Sequence, residues 1–104
     1  MSFTRKTGFS FTEAMIKRVA PTGSGVYGLY DSKRWIYIGE TNNIERRLLE
    51  HFNETGTCLS RSNPTTFIWE DSPAGERVQL QNSLILELCP LRAAERSNHR
   101  PSET

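Results

Sequence analysis

The sequence is poor in cysteine and carries no excess of charge of either sign. It has two cysteines, Cys58 and Cys89, and they do not have the spacing of a metal-binding motif. With no secretory signal at the start of the chain, we expect reduced thiols rather than a disulfide. Thirteen lysines and arginines against twelve acidic residues give a formal net charge of +1. The overall charge therefore does not point to nucleic acid, although a local basic face is compatible with it.

Long apolar runs are missing as well. No stretch approaches the roughly 20 apolar residues that span a bilayer, so we expect no membrane partner. A chain of 104 residues is long enough for one domain with a modest core. These features predict a single soluble domain located in the cytoplasm.

The first part of the chain, residues 1–24, is expected to carry one short helix that packs on the domain. Ser10 and Glu13 have the spacing of a capping box, which predicts a helix over residues 11–19. The apolar side chains of this helix are Phe11, Ala14, Met15 and Val19, with Ile16 close by. We expect this apolar face to cover a sheet.

Two stretches rich in aromatic and β-branched residues, 25–30 and 35–40, predict two strands joined by a tight loop. Their register is open. A three-residue loop places Tyr27 opposite Tyr37, whereas a four-residue loop places Tyr27 opposite Ile38. We prefer the first register because it gathers both tyrosines on one face, and a slip of one residue moves every side chain to the other face.

A helix is predicted next, with Asn42 as its N-cap and Glu45 three residues later. Its apolar stripe consists of Ile44, Leu48 and Phe52. Arg47 and His51 flank that stripe, so we expect them at its edge beside the sheet.

A third strand is predicted over residues 65–70, and a last helix from Ser72 and Pro73 to about Leu88. Gln81 is a polar residue on the otherwise apolar face of this helix. The apolar members of that face are Val78, Leu84, Ile85 and Leu88. The domain itself is expected to cover residues 25–93, and residues 94–104 form a polar tail.

Two short signatures stand on the first two predicted strands, Gly25-Val26-Tyr27 and Tyr37-Ile38-Gly39. Arg47 follows ten residues after Tyr37, and His51 follows four residues later. This ordered set, with Thr41 and Asn42 before the helix, resembles the GIY-YIG nuclease domain family. The resemblance implies a small α/β (α+β) sandwich in which helices flank a three-stranded antiparallel sheet. The predicted strands and helices agree with that fold.

The implied activity is hydrolysis of DNA phosphodiester bonds with a divalent metal, Mg²⁺ or Mn²⁺. By resemblance, Tyr27 and Tyr37 serve the attacking water, Arg47 stabilises the phosphoryl group, and a glutamate on the last helix holds the metal. His51, Gly25, Gly39 and Asn42 complete the implied site. Arginine suits the role because its planar, permanently charged fork matches phosphate. Taken singly, the same tyrosines are typical of strand packing, Arg47 of a solvated charge, and His51 of a structural histidine.

The sequence departs from the family pattern on the last helix. Gln81 stands where the family has the metal-binding glutamate, and Ala93, three residues after Pro90, stands where it has an asparagine. A neutral amide contributes no charge, and hard divalent cations favour oxygen ligands that include carboxylates. Three explanations remain open: a subfamily that positions metal differently, a binding domain that has lost catalysis, or a deliberate glutamate-to-glutamine change.

We therefore carry three hypotheses. The first is a metal-dependent endonuclease with Gln81 as a weak metal ligand, the second is a non-catalytic DNA-binding or assembly module, and the third is a purely structural role. A basic rim around the hairpin would hold a DNA backbone without reading its sequence. Its expected members are Lys33, Arg34, Arg46, Arg47, Arg61 and Arg77. Any specificity would come from DNA shape or from a partner protein.

Overall fold

A mixed five-stranded sheet forms the centre of the fold. The computed structural model describes residues 3, 7–54, 62–88, 90 and 92–93. The strands are β1 (Phe9–Ser10), β2 (Gly25–Tyr30), β3 (Trp35–Thr41), β4 (Thr66–Asp71) and β5 (Arg92–Ala93). The helices are α1 (Glu13–Val19), α2 (Ile44–Asn53) and α3 (Arg77–Leu88). The predictions for Cys58, Arg61, Cys89 and the tail 94–104 lie outside the described residues.

The strand order is β1-β4-β2-β3-β5, and the three long strands β4, β2 and β3 run antiparallel. This confirms the predicted fold class, an antiparallel sheet flanked by helices. The sheet is larger than the predicted three strands because a two-residue strand is added at each edge. β1 pairs antiparallel with β4, and β5 pairs parallel with β3. These additions satisfy backbone groups at part of each edge.

Both predicted registers of β2 and β3 are wrong. Tyr30 pairs with Trp35 across a four-residue loop, but the pairing then shifts so that Leu29 lies opposite Tyr37 and Tyr27 opposite Gly39. One extra residue of β3 is accommodated there as a bulge. Without the bulge, the four-residue loop would place Tyr27 opposite Ile38, and the two tyrosines would lie on opposite faces of the sheet. Tyr27 and Tyr37 lie on the same face of the sheet, as we expected, because residues two apart on a strand share a face.

Helices cover the two faces of the sheet. On the face of Tyr27, the core includes Ile16 of α1 and Ile44 and Leu48 of α2. On the opposite face, Leu84 of α3 packs with Val26, Ile38, Ile68 and Phe3. No helix in the described part of the chain is both long and apolar enough to cross a membrane.

Two helix starts differ from the predictions. Thr12, not Ser10, caps α1, and its Oγ1 accepts a hydrogen bond from Met15 N at 3.2 Å. Ser10 is instead paired with Thr66 in the sheet, so it is unavailable as a cap. α3 begins at Arg77, four residues after Pro73, because residues 74–76 form a turn.

The apolar face of α1 also differs from the expectation. Ile16 is its fully buried residue, whereas Ala14 is exposed. Phe11, Met15 and Val19 are half-buried against the core. The buried face of α1 is therefore centred on Ile16, one residue away from the centre that we expected.

Candidate functional site

A buried tyrosine and a buried histidine form the centre of the candidate site. Tyr27 Oη lies 2.7 Å from Nε2 of His51, and the two residues are 1% and 6% exposed. His51 lies inside the buried face of α2 and not at its edge, because Ile44, Leu48 and His51 follow an i, i+4, i+7 spacing. Phe52, which we expected in that stripe, is 39% exposed.

His51 is neutral at pH 7 in this environment. Burial, and then the charge of Arg47, lower the pKa of His51 to about 4, although Glu54 opposes the shift. Its Nδ1 makes no hydrogen bond within the described residues and lies 3.5 Å from Oε1 of Glu54. Neutral imidazole has one N–H and one acceptor nitrogen. We assign the proton to Nδ1, which faces Glu54, so that Nε2 accepts a hydrogen bond from the Tyr27 hydroxyl.

Tyr37 lies beside this pair and is the more exposed of the two tyrosines. Its ring centroid is 6.0 Å from that of Tyr27 and 5.0 Å from that of His51. Burial raises the pKa of Tyr37, and the charge of Arg47 partly offsets this. The pKa of Tyr27 is raised well above its usual value by deeper burial and by Tyr37. Both phenols therefore keep their protons at neutral pH.

Gly39 makes the packing of the two tyrosines feasible. A methyl group in place of its hydrogen would lie 2.6 Å from Tyr27 Oη and 3.0 Å from the ring of Tyr37. Gly25, at the start of β2, also lies close to other atoms, but its neighbours are the carbonyl of Glu70 and the side chain of Ile44. Gly39 thus shapes the site, whereas the contacts of Gly25 belong to strand packing.

Arg47 brings a cation to the cluster. It is one turn before His51 on α2. Its charge opposes the rise in the pKa of Tyr27 and Tyr37 and adds to the fall in the pKa of His51. Its side chain is 36% exposed, and its Nη1 donates to Oε1 of Glu50 at 2.8 Å. The four residues Tyr27, Tyr37, Arg47 and His51 form what we call the tyrosine–histidine cluster.

Asn42 does not cap α2, contrary to the prediction. The N-cap is Asn43, whose Oδ1 accepts a hydrogen bond from Arg46 N at 3.0 Å. Asn43 N in turn donates to Thr41 Oγ1 at 3.1 Å, which fixes the turn one residue later than expected. Asn42 is exposed, and its Oδ1 accepts from Nη2 of Arg46 at 2.7 Å.

Gln81 comes from the other layer of the fold. It is 1% exposed on α3, one turn before Leu84 and thus beside the core of the opposite face. Its Nε2 donates to Oδ1 of Asn82 at 3.3 Å. Four of the five candidate catalytic residues, Tyr27, Tyr37, Arg47 and His51, therefore lie together on one face of the sheet. The fifth, Gln81, lies on α3, which covers the opposite face.

The expected basic rim is largely ion-paired in the described part of the chain. Arg34 lies 3.6 Å from Asp31, Arg47 pairs with Glu50, and Arg46 lies 3.9 Å from the same Glu50. The positive surface is therefore weaker than a count of arginines suggests, because exposed pairs neutralise much of it.

An ion pair that the sequence analysis missed lies at the end of β3. Arg77 Nε donates to Oε1 of Glu40, and Arg77 Nη1 donates to Ser24 Oγ at 3.0 Å. Glu40 and Arg77 are 37 residues apart, so no local spacing could have revealed the pair. Glu54, in contrast, stands three residues after His51, and that helical spacing was available in the sequence.

The sheet flanked by helices and the tyrosine–histidine cluster define a nuclease-type α/β domain. A family model described as the GIY-YIG catalytic domain matches residues 23–80. The chain belongs to the GIY-YIG family. The comparison with curated proteins found no match.

Solved structures with the same fold include forms of the GIY-YIG N-terminal endonuclease domain of UvrC from Thermotoga maritima. A magnesium-bound form is 23% identical with a TM-score of 0.64, covering 74% of this chain and 93% of that one. A point mutant bound to its catalytic divalent cation is 23% identical with a TM-score of 0.67, covering 78% and 97%. At this level of identity the likeness establishes the fold.

The described residues of this chain do not form a carboxylate site for such a cation. The described residues contain no group of three or more histidine, cysteine, aspartate or glutamate side chains placed to hold a metal. Gln81, which the sequence resemblance places where the family has its glutamate, is a neutral amide and is buried. Glu40 is already paired with Arg77. Since divalent cations favour carboxylate oxygens, this donor set does not fit one.

Proposed function

We propose that the chain hydrolyses phosphodiester bonds of DNA at the tyrosine–histidine cluster. The observation that carries the proposal is the 2.7 Å contact between Tyr27 Oη and Nε2 of a neutral His51. Neutral imidazole has one acceptor nitrogen, and here that nitrogen receives the hydrogen bond of the buried phenol, next to a cation. The family membership supports nucleic acid as the substrate.

Arg47 is the phosphate-binding group in this proposal. Phosphoryl transfer spreads negative charge over the nonbridging oxygens, which a fixed cation stabilises. The side chain of Arg47 is 36% exposed, and its charge acts on both phenols. A phosphate that binds there competes with Glu50 for the same Nη1.

We assign different roles to the two tyrosines because they differ in solvent exposure. Tyr37 is half-buried, whereas Tyr27 is almost completely buried behind it. We assign to Tyr37 the contact with the attacking water. As the water oxygen bonds to phosphorus, the P–O bond to the leaving sugar oxygen breaks, and that oxygen takes a proton from bulk water. The proton of the attacking water goes to Tyr37, which passes its own to Tyr27, and Tyr27 passes its proton to Nε2 of His51. The carboxylate of Glu54, 3.5 Å from Nδ1, then stabilises the imidazolium.

A cleavage assay tests the proposal. Supercoiled, branched and single-stranded DNA are incubated with the unsubstituted protein, with the Arg47→Ala variant, and with the Arg18→Ala variant. Arg18 is an exposed arginine on α1 and serves as the matched control. We expect cleavage by the protein and by Arg18→Ala, and its loss in Arg47→Ala. Equal cleavage by all three proteins would overturn the assignment of Arg47.

A second candidate function, DNA binding without hydrolysis, is favoured by one observation. Gln81 supplies a neutral amide where the family has a carboxylate. If the unsubstituted protein cuts none of the substrates but binds DNA in a way that depends on Arg47, the result supports this second function. Cleavage that appears only in Gln81→Glu would show that this position alone silences the scaffold.

A further inference from the structure

The two ring nitrogens of His51 face different groups. Nε2 lies 2.7 Å from Tyr27 Oη, and Nδ1 lies 3.5 Å from Oε1 of Glu54. Nδ1 is buried and makes no hydrogen bond within the described residues. Because buried polar atoms are nearly always hydrogen-bonded, this nitrogen indicates a role for the carboxylate beside it.

Glu54 is held next to His51 by the end of α2. It is the C-cap residue of that helix, and its backbone N–H donates to the carbonyl oxygen of His51 at 3.2 Å. The side chain of Glu54 is 31% exposed, so the carboxylate keeps part of its hydration while it faces a buried ring. Since the cap bond belongs to the backbone, a substitution of the Glu54 side chain leaves that bond in place.

The tautomer of His51 determines the direction of its hydrogen bond with Tyr27. Neutral imidazole carries one proton, on either nitrogen, and a phenol hydroxyl both donates and accepts. If Nδ1 is protonated, Nε2 accepts from Tyr27, whereas a protonated Nε2 donates to Tyr27. The distance of 2.7 Å is compatible with both directions. Only the first direction allows His51 to take the proton of Tyr27.

The carboxylate of Glu54 distinguishes between the two tautomers. A carboxylate accepts hydrogen bonds and donates none, so it stabilises an Nδ1 that carries a proton. In the other tautomer, the lone pair of Nδ1 would face Oε1 of Glu54 inside the protein, where two acceptors repel each other with little screening. The partner of one ring nitrogen in this way decides which nitrogen is protonated.

The charges around His51 come from its own helix. Burial and the charge of Arg47 lower the pKa of His51, whereas the carboxylates of Glu54 and Glu50 oppose the shift. Glu50 is paired with Arg47 at 2.8 Å, but Glu54 faces the imidazole itself. When His51 takes a proton, Glu54 is therefore placed to offset the repulsion from Arg47.

We infer that Glu54 is a positioning residue of the tyrosine–histidine cluster, whose carboxylate holds the proton of His51 on Nδ1 and so keeps Nε2 free to accept the proton of Tyr27. Phenol, imidazole and carboxylate follow the order of the serine–histidine–aspartate triad, in which the carboxylate also fixes the tautomer of the imidazole. The inference rests on the proposed function for its effect on cleavage. The position of the proton, in contrast, is measured without substrate.

Long-range proton–nitrogen correlation spectra at pH 7 test the inference, because a protonated ring nitrogen differs in chemical shift from an unprotonated one. The chain has two histidines, and His51→Gln identifies the signals of His51. We expect Nδ1 to be protonated in the unsubstituted protein, and Nε2 to gain the proton in Glu54→Ala. Glu76→Ala, which removes an exposed carboxylate before α3, should change nothing. A protonated Nε2 in the unsubstituted protein, or an unchanged tautomer in Glu54→Ala, would overturn the inference.

Single-turnover cleavage of DNA separates positioning from substrate binding. Glu54→Ala should lower the rate at saturating protein by about 10²-fold, the lower end of what general acid–base catalysis contributes. The protein concentration at half-saturation should be unchanged or lower, because the variant loses a negative charge. Glu54→Asp keeps a carboxylate and should recover part of the rate together with the Nδ1 tautomer. If Glu54→Ala cuts DNA as fast as Glu76→Ala does, the positioning role is wrong.

The two readouts distinguish failure of this inference from failure of the proposed function. If none of the proteins cuts DNA but the tautomer changes in Glu54→Ala alone, hydrolysis is wrong and the role of Glu54 in placing the His51 proton stands. If the unsubstituted protein cuts DNA and Glu54→Ala matches it in tautomer and rate, hydrolysis stands and the inference is overturned. Thermal unfolding of each variant shows that the comparison is made between folded proteins.

Discussion

Tyr27 Oη and His51 Nε2 lie 2.7 Å apart in the interior of the molecule, and the histidine is neutral. The two residues come from different elements, β2 and α2, and each is less than a tenth exposed. Removing one partner leaves the other as a buried polar group without its hydrogen bond, which is costly. The pair therefore links the stability of the fold to the chemistry of the cluster.

Tyr27→Phe should lower the free energy of unfolding by about 1–3 kcal/mol, the usual cost of leaving a buried group unsatisfied. It should also reduce DNA cleavage, because the proton path to His51 is interrupted. Chemical denaturation and the cleavage assay measure the two effects. Tyr30→Phe is the control, since the Tyr30 hydroxyl accepts a hydrogen bond from Gly8 N and is not part of the cluster. Equal effects of the two substitutions would argue against a special role for Tyr27.

The stability of the protein should fall as the pH is lowered from about 6.5 to about 4. The folded-state pKa of His51 is about 4, below its unfolded value of about 6.5. The unfolded chain therefore binds the proton first, and this contribution is complete above pH 6.5 and lost on acidification. The shift corresponds to about 3 kcal/mol. In His51→Gln, this part of the pH dependence of unfolding should disappear; an unchanged profile would contradict the assignment.

Glu50→Gln should strengthen DNA binding. Glu50 pairs with Nη1 of Arg47 at 2.8 Å and lies 3.9 Å from Arg46, so removing its charge frees cations for phosphate. An exposed pair is worth about 0.2–1 kcal/mol, which corresponds to an increase of up to about fivefold. Fluorescence anisotropy with a labelled duplex measures it. Glu45→Gln makes the same change of net charge on the same helix, and the prediction is wrong if it has the same effect.

Gly39→Ala should destabilise the protein by about 1–3 kcal/mol, the usual cost of overpacking. The added methyl group would lie 2.6 Å from Tyr27 Oη, so the tyrosine must move away from His51. Gly23→Ala is the control, because a methyl group there meets no atom within 4 Å. Thermal unfolding of both variants checks the prediction. Similar melting temperatures for the two would show that Tyr27 adjusts without cost.

Gln81→Glu should lower the melting temperature at neutral pH, since it places a carboxylate at a position that is 1% exposed. Added Mn²⁺ should restore part of the loss by binding the new carboxylate in the folded state. Gln79→Glu makes the same chemical change at an exposed position of α3 and should do neither. A variant that is as stable as the parent without metal would contradict the expected burial cost.

The sequence predicted the elements and the face of the key residues better than their exact positions. The period of two along β2 and β3 placed Tyr27 and Tyr37 on one face, and the helical spacing placed Arg47 one turn before His51. The register failed because a bulge in β3 shifts the pairing, and local composition does not encode that bulge. The predicted N-cap of α2 was wrong by one residue, because Asn42 and Asn43 have the same capping chemistry. The Glu40–Arg77 pair depends on the packing of α3 against the sheet.

The position of β2 in the middle of the sheet has a consequence for the interpretation of mutants. β2 is hydrogen-bonded to β3 on one side and to β4 on the other along its whole length. Central strands of this kind open only when the whole molecule unfolds, so their amides exchange with solvent slowest. Tyr27 is therefore carried by a strand that is paired on both sides, while Arg47 lies on a helix that packs on one face of the sheet. Substitutions near Tyr27 will change activity and folding together, whereas those at Arg47 can change activity alone.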